Sequence, residues 1–300
     1  MRPYIGNLYK RTGGFLLPAF FFALSILSLM GCGPLASTDQ HSNEPIPAQK
    51  TTSNDDQRAM PKVFATLPRS FDGALRVEIK EAIPLEPENK PGAAGPRHVY
   101  LVIEGGNADR GSNSTFTPGI AVYEVEKFRD QLSAQPATVA SFDENLNALR
   151  SLLSEKLDLT KQGEIEIVRY VEDMQALRAH ASYLPFQGGC AVGYITQFMP
   201  DASYVNNREL TYVLQGLTSD GKYYLFGTFP VRVGFLPEDS DISDFEGYRI
   251  PMYSLTEVEA QENFRYLRRI ETRLENTPQE MFQPDLREIE KLISSIEIRE

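Results

Sequence analysis

The chain has 300 residues, with 30 Lys and Arg against 41 Asp and Glu, a formal charge of −11. So acidic a chain excludes nucleic acid as a partner and excludes docking on anionic lipid by charge alone. Trp is absent, and two Cys and three His leave little for a zinc site, a His-centred triad or a disulfide scaffold.

The N-terminus carries the most specific motif. Arg2, Lys10 and Arg11 precede an apolar run, Phe15 to Met30, interrupted only by Pro18, Ser25 and Ser28, that closes on Leu29-Met30-Gly31-Cys32. A basic start, a short apolar centre and a small residue before the cut are the layout of a secretory signal rather than of a retained membrane span. The segment resembles a bacterial lipoprotein signal. Leu29, Gly31 and Cys32 match the lipobox, and Met30 is a less usual occupant of its middle position. The resemblance implies cleavage after Gly31, with Cys32 as the lipidated first residue, held by several acyl chains such as palmitate. Each buried acyl methylene contributes roughly 0.8 kcal/mol, so several chains make attachment durable. Residues 1–31 hold three of the 30 basic residues and none of the acidic ones, which leaves the remainder at a formal charge of −14. Lipid, not charge, would hold such a body at a membrane.

Residues 32–62 then read as the lipidated Cys and a disordered tether, polar and rich in Pro, Ser, Thr, Gln and Asn, with His41 simply solvated. About 30 flexible residues span on the order of 30 Å, enough to lift a domain clear of head groups. A single globular domain is expected over 63–300. Phe64, Leu67, Phe71 and the alternating Leu75, Val77 and Ile79 predict a first strand, and Val99 to Ile103 a buried second. Pro84, Pro87, Pro91 and Pro96 mark a long loop between them. Gly105 to Gly111 lacks the spacing of a phosphate-binding turn and reads as a loop. Asn113-Ser114-Thr115 spells a glycosylation acceptor, without meaning in a bacterial protein. A third strand is predicted over Gly119 to Val125.

Ser141 and Glu144 are spaced as a capping box, which predicts a helix from Ser141 with Leu146, Leu149, Leu152 and Leu153 on its apolar stripe. A short strand is expected over Ile165 to Tyr170, then a helical turn and a strand over Val171 to Tyr183, with His180 a packing or surface residue. From Gly188 to Val233 the sequence predicts a three-strand antiparallel meander. Glu209 to Leu217 and Lys222 to Pro230 flank Thr218-Ser219-Asp220-Gly221, where Asp-Gly suits a tight hairpin turn. Leu210, Tyr212 and Leu214 alternate with Thr211, Val213 and Gln215. Tyr223, Leu225 and Phe229 alternate with Tyr224, Phe226 and Thr228. Both faces are apolar, so both should be covered.

With Cys32 modified, Cys190 is the only other thiol and no internal disulfide can form. It opens an apolar strand without a neighbouring His, and reads as a small hydrophobe rather than a nucleophile. The acidic stretch Glu238 to Glu246 is the best metal candidate, through Asp239, Asp241 and Asp244. It lacks the glycine and distal glutamate of a calcium loop, so a solvated loop is expected and no cofactor is assigned. Ser254 and Glu257 predict a second capping box ahead of a long helix, with Val258, Phe264, Leu267, Ile270 and Leu274 inward. Asn276-Thr277-Pro278 ends it. A second helix follows near Pro284, with Leu286, Ile289, Leu292 and Ile293 inward, and Ile296 and Ile298 predict a short closing strand. Arg265, Arg268, Arg269 and Arg273 among glutamates read as a salt-bridged exposed face.

The fold class is therefore α+β, a central antiparallel sheet covered by helices with a C-terminal helix pair and closing strand. Phe186-Gln187-Gly188-Gly189, the meander and Phe282 to Leu286 resemble a group of uncharacterised bacterial exported proteins. The strand order ending in a helix and short strand is similar to the PsbP-type αβα sandwich. Neither resemblance carries a functional residue. No hydrolase, metalloprotease, P-loop or dinucleotide signature occurs. The expectation is an extracytoplasmic, membrane-anchored lipoprotein with a non-catalytic binding domain for another envelope component. The alternatives are a hydrolase using carboxylates of 238–246 beside a cleft lined from Tyr194, Tyr204, Tyr212, Tyr223, Tyr224, Tyr248 and Tyr253, and a small-ligand binding domain. Gly33 replaces the Asp that commonly retains lipoproteins at an inner membrane. The resemblance therefore points to the outer membrane where there are two.

Overall fold

The computed structural model describes residues 60–69, 71, 73–85, 94–104, 118–169, 171, 173–250 and 256–300, all within the unit Asp55–Glu300. Its elements run β1 (Lys62–Phe64), β2 (Ala74–Lys80), β3 (His98–Glu104), β4 (Gly119–Glu124), α1 (Val125–Gln131), α2 (Pro136–Glu155), β5 (Met174–Gln175), β6 (Ala179–Phe186), β7 (Gly189–Thr196), β8 (Phe198–Met199), β9 (Thr211–Thr218), β10 (Tyr223–Pro230), β11 (Arg232–Val233), α3 (Glu257–Glu275), β12 (Phe282–Gln283), α4 (Leu286–Ser294) and β13 (Glu297–Arg299).

The centre of the sheet is the β9–β10 hairpin, paired from Leu217↔Tyr224 to Thr211↔Pro230. Gly221 takes the left-handed φ of 71° that its turn needs. The Asp220 carboxylate tightens the turn by accepting from the Thr218 hydroxyl at 2.6 Å and the Lys222 N–H at 3.0 Å. β7 pairs the other side of β9 from Gly189↔Thr218 to Thr196↔Thr211, so the meander forms as expected. β4, β3 and β2 extend the sheet beyond β10, and β6 extends it beyond β7. The result is seven antiparallel strands in the order β2-β3-β4-β10-β9-β7-β6.

Strand alternation sends apolar side chains to both faces, and helices cover each. On one face Leu101, Val122, Ile195, Tyr212, Leu214 and Leu225 share a core with Tyr266, Ile270 and Leu274 of α3 and with Leu286, Ile289, Leu292 and Ile293 of α4. On the other, Tyr123, Val192, Tyr194, Val213, Tyr224 and Phe226 pack with Phe128 of α1 and Phe142, Leu146, Leu149 and Leu153 of α2. Each fully buried aliphatic or aromatic side chain contributes roughly 1.5–3 kcal/mol. The mixed α+β class, the C-terminal helices and the closing strand are as the sequence implies. β13 closes the chain on itself by pairing with β1, Val63 opposite Ile298.

Several local expectations are corrected. The apolar pattern at 64–79 forms two strands, and β1 leaves the main sheet to meet β13. α2 starts at Pro136 rather than Ser141. Proline's fixed φ and missing N–H suit the first helical position, so the Ser141–Glu144 spacing falls inside the helix. Residues 165–168 form no strand although Ile165, Ile167 and Val168 are buried. The Gln215 side chain takes the place of a ladder, donating to the Glu166 carbonyl at 2.7 Å and accepting the Val168 N–H at 3.3 Å. The described part of 171–183 has no helical turn, only β5 and the start of β6. α3 is capped by Thr256 and Glu259, while Ser254 lies outside the described residues. Its buried row is Tyr266, Ile270 and Leu274; Val258 and Phe264 are 64% and 43% exposed. Phe264 sits about 200° around the helix from Tyr266, and Val258 lies in the first turn.

Candidate functional site

Leu29, Met30, Gly31, Cys32 and the tether as far as residue 59 lie outside the described residues, as do the glycine-rich turn at 105–111 and Tyr253; Lys62, the last residue of the expected tether, instead opens β1. No helix among the described residues is long and apolar enough to cross a membrane.

The acidic stretch is a solvated loop, exposed at Glu238, Ser240, Asp241, Ser243, Asp244 and Glu246, and it is pinned by arginines at both ends. Glu238 pairs with Arg232, Asp239 with Arg208 at 3.0 Å, and Glu246 with Arg273. Ile242 and Phe245 turn inward onto the core. Asp239 also accepts the Asp241 N–H at 3.1 Å. Asp239, Asp241 and Asp244 do not converge on one point, and among the described residues no group of three His, Cys, Asp or Glu side chains is placed to hold a metal.

The tyrosines of the meander are braces rather than the lining of a cleft. Tyr194, Tyr204, Tyr212 and Tyr224 are fully buried. Removal from water pushes the Tyr194, Tyr212 and Tyr224 phenols upward, away from proton transfer near neutrality. Tyr266 accepts the Val205 N–H at 2.9 Å, and Tyr204 donates to the Tyr248 carbonyl at 3.2 Å while accepting the Ile250 N–H at 3.1 Å. Tyr248 stacks on Tyr266 at 4.7 Å. These bonds hold the connections on either side of β9 and β10 against α3. Beside them Gln197 and Asn206, both fully buried, each donate to Glu209, at 2.8 and 3.0 Å. Gln197, Asn206 and Glu209 are thus occupied by the chain itself, whereas the buried Tyr194 and Tyr248 hydroxyls have no hydrogen-bond partner among the described residues.

Two chemistry-bearing groups were not singled out from the sequence as a pair. Lys156, in the left-handed conformation at the end of α2, sets its ammonium 2.6 Å from the Cys190 sulfur and 4.4 Å from the centre of the Tyr183 ring. Tyr183 in turn donates to the Leu157 carbonyl at 2.8 Å. Cys190 is partly exposed rather than a buried hydrophobe. The two residues are 34 positions apart, and nothing in the sequence spacing links a helix end to the start of β7. His98, at the start of β3, packs on Tyr123 at 4.4 Å and donates Nδ1–H to the Pro96 carbonyl at 2.8 Å. Burial pushes its imidazole downward, the largest influence on it, and holds it neutral. His180 is a packing residue: its N–H meets Glu275 at 2.5 Å, its ring lies edge-on to Phe282, and its backbone φ is 53°.

No protein-family model, no curated protein and no solved structure matches this chain.

Proposed function

We propose that this chain is an extracytoplasmic lipoprotein, moored through acylated Cys32, whose α/β/α body is a binding module of the cell envelope rather than a catalyst. The observation that carries the reading is the apolar run Phe15 to Met30 ending on Leu29-Met30-Gly31-Cys32 ahead of a polar stretch. The state of the polar side chains supports the non-catalytic part. Glu238, Asp239 and Glu246 are engaged by arginines, Tyr194, Tyr204, Tyr212 and Tyr224 are buried in the core, and the Tyr204 and Tyr266 hydroxyls are taken up by the backbone. A carboxylate-based hydrolase would need such groups at a cleft with one acid and one base ionised differently. Gly33, in place of the Asp that commonly retains lipoproteins at an inner membrane, favours the outer membrane where there are two.

Fractionation tests the anchor: the parent chain sediments with membranes, and Cys32→Ser moves it to the soluble fraction or leaves it unprocessed. A parent that is soluble without lipid contradicts the reading. Crosslinking in intact cells tests the binding role, which predicts a specific envelope component on the body in stoichiometric amount.

A further inference from the structure

The two edges of the main sheet are built differently. On β6 the pairing with β7 shifts register between Ala179 and Ser182, Pro185 interrupts the donors, and α3 and α4 lie against the strand. Bulges, prolines and covering helices are what keep an edge from pairing with another chain. β2 has none of these. Its seven residues, Ala-Leu-Arg-Val-Glu-Ile-Lys, pair with β3 without a break, from Ala74↔Glu104 to Lys80↔His98, and among the described residues nothing pairs its outer side.

One face of β2 is also unfinished. Leu75, Val77 and Ile79 stand beside Ile103, Leu101 and Val99, which are buried in the core. Leu75 is partly covered, but Val77 and Ile79 are 51% and 48% exposed. The opposite face carries Arg76, Glu78 and Lys80, where Arg76 pairs with Glu78 and, at 2.7 Å, with Glu104. An edge that is regular, unpaired and apolar on one face is a template for strand addition.

We propose that this edge is a self-association surface, filled by β2 of a second copy in antiparallel register about Val77. The strand's own pattern selects the occupant and the register. Directly opposed residues share a face, so pairing must set odd positions against odd to keep the apolar stripe continuous. Among the even-sum registers, centring on Val77 opposes Arg76 to Glu78 twice and Leu75 to Ile79 twice, with Val77 against its own copy. Shifting the centre to Arg76 or Glu78 opposes like charges at the axis. Centring on Ile79 also opposes Glu78 to Lys80, but it sets Val77 against Glu81; only the Val77 register pairs all seven strand residues with the apolar stripe unbroken and opposite charges opposed, as a two-fold interface requires. A single strand pair buries less than the roughly 1,200 Å² of standard interfaces, which makes the dimer concentration-dependent. The proposal needs neither the lipid nor another protein.

Light scattering on the full chain in detergent, with the micelle contribution subtracted, should give a protein mass that rises with concentration towards two chains. Val77→Lys should hold it at one chain throughout. Arg76→Glu and Glu78→Arg each oppose like charges and should weaken the dimer at least tenfold, and the double variant Arg76→Glu/Glu78→Arg should restore it. In a Cys190→Ser background, Val77→Cys should crosslink to its own copy with a thiol-to-thiol reagent far more than Val258→Cys, an exposed position on α3. A parent that stays monomeric at every concentration, a double charge swap that fails to restore pairing, or equal crosslinking at Val77 and Val258 would each overturn the proposal.

Discussion

The Tyr212 phenol lies across Gly193 on the adjacent strand, so close that a Cβ on Gly193 would come within 2.3 Å of the Tyr212 oxygen and 2.7 Å of Leu184. Tyr212 is fully buried and has nowhere to retreat. Gly193→Ala should therefore destabilise the fold by about 1–3 kcal/mol through overpacking, read as a lower denaturation midpoint at unchanged slope. Combining it with Tyr212→Leu should cost less than the sum of the two single changes. Simple additivity would show that the two residues do not meet.

Gln215 holds a segment that has no ladder of its own. Gln215→Leu keeps the volume but leaves the Glu166 carbonyl and the Val168 N–H without their partner. The expected loss is about 1–3 kcal/mol, with faster hydrogen exchange concentrated at 165–168. Protection unchanged at the Val168 amide would contradict this role.

At the start of α3 Thr256 accepts the Glu259 N–H at 3.3 Å, and Glu259 reaches back to the Thr256 N–H at 2.8 Å. Removing the hydroxyl in Thr256→Ala should cost about 1 kcal/mol. Ser254→Ala should cost nothing measurable. The reverse order would return the cap to the position that sequence spacing favours.

His98 makes stability depend on pH in a defined direction. Burial holds its folded-state pKa below the usual value of 6.5. The unfolded chain therefore takes up a proton first as pH falls. The stabilisation is complete above about pH 6.5 and is lost as pH drops through the lowered value. Between about pH 7.5 and 5.5 the melting temperature should fall more for the parent than for His98→Gln. Parallel curves would exclude His98 as the source.

What could be read beforehand followed from period and turn chemistry. Asp220-Gly221 with alternating apolar arms defines the hairpin and both faces of the meander, and Leu286, Ile289, Leu292 and Ile293 repeat at helical spacing and are fully buried as a row. Misplaced boundaries arose where two local signals competed. Pro136 outweighs the Ser141–Glu144 spacing, and Thr256 with Glu259 forms the cap that Ser254 and Glu257 mimic in spacing. Residues 165–168 resemble a strand in sequence because they are buried without a ladder; only the distant Gln215 distinguishes them. The Lys156–Cys190 contact, the arginine pins on 238–246 and the exposure of Val77 and Ile79 all depend on how distant elements are placed. No periodicity encodes them. The proposed anchor is the opposite case, resting wholly on a linear motif.

The central claim is that acylated Cys32 moors this body outside the cytoplasm, and intact mass of the chain extracted from membranes tests it most directly. The account predicts a polypeptide beginning at Cys32 and heavier than its sequence by the mass of the acyl groups. An intact Met1, or an unmodified N-terminus at any other residue, would contradict it.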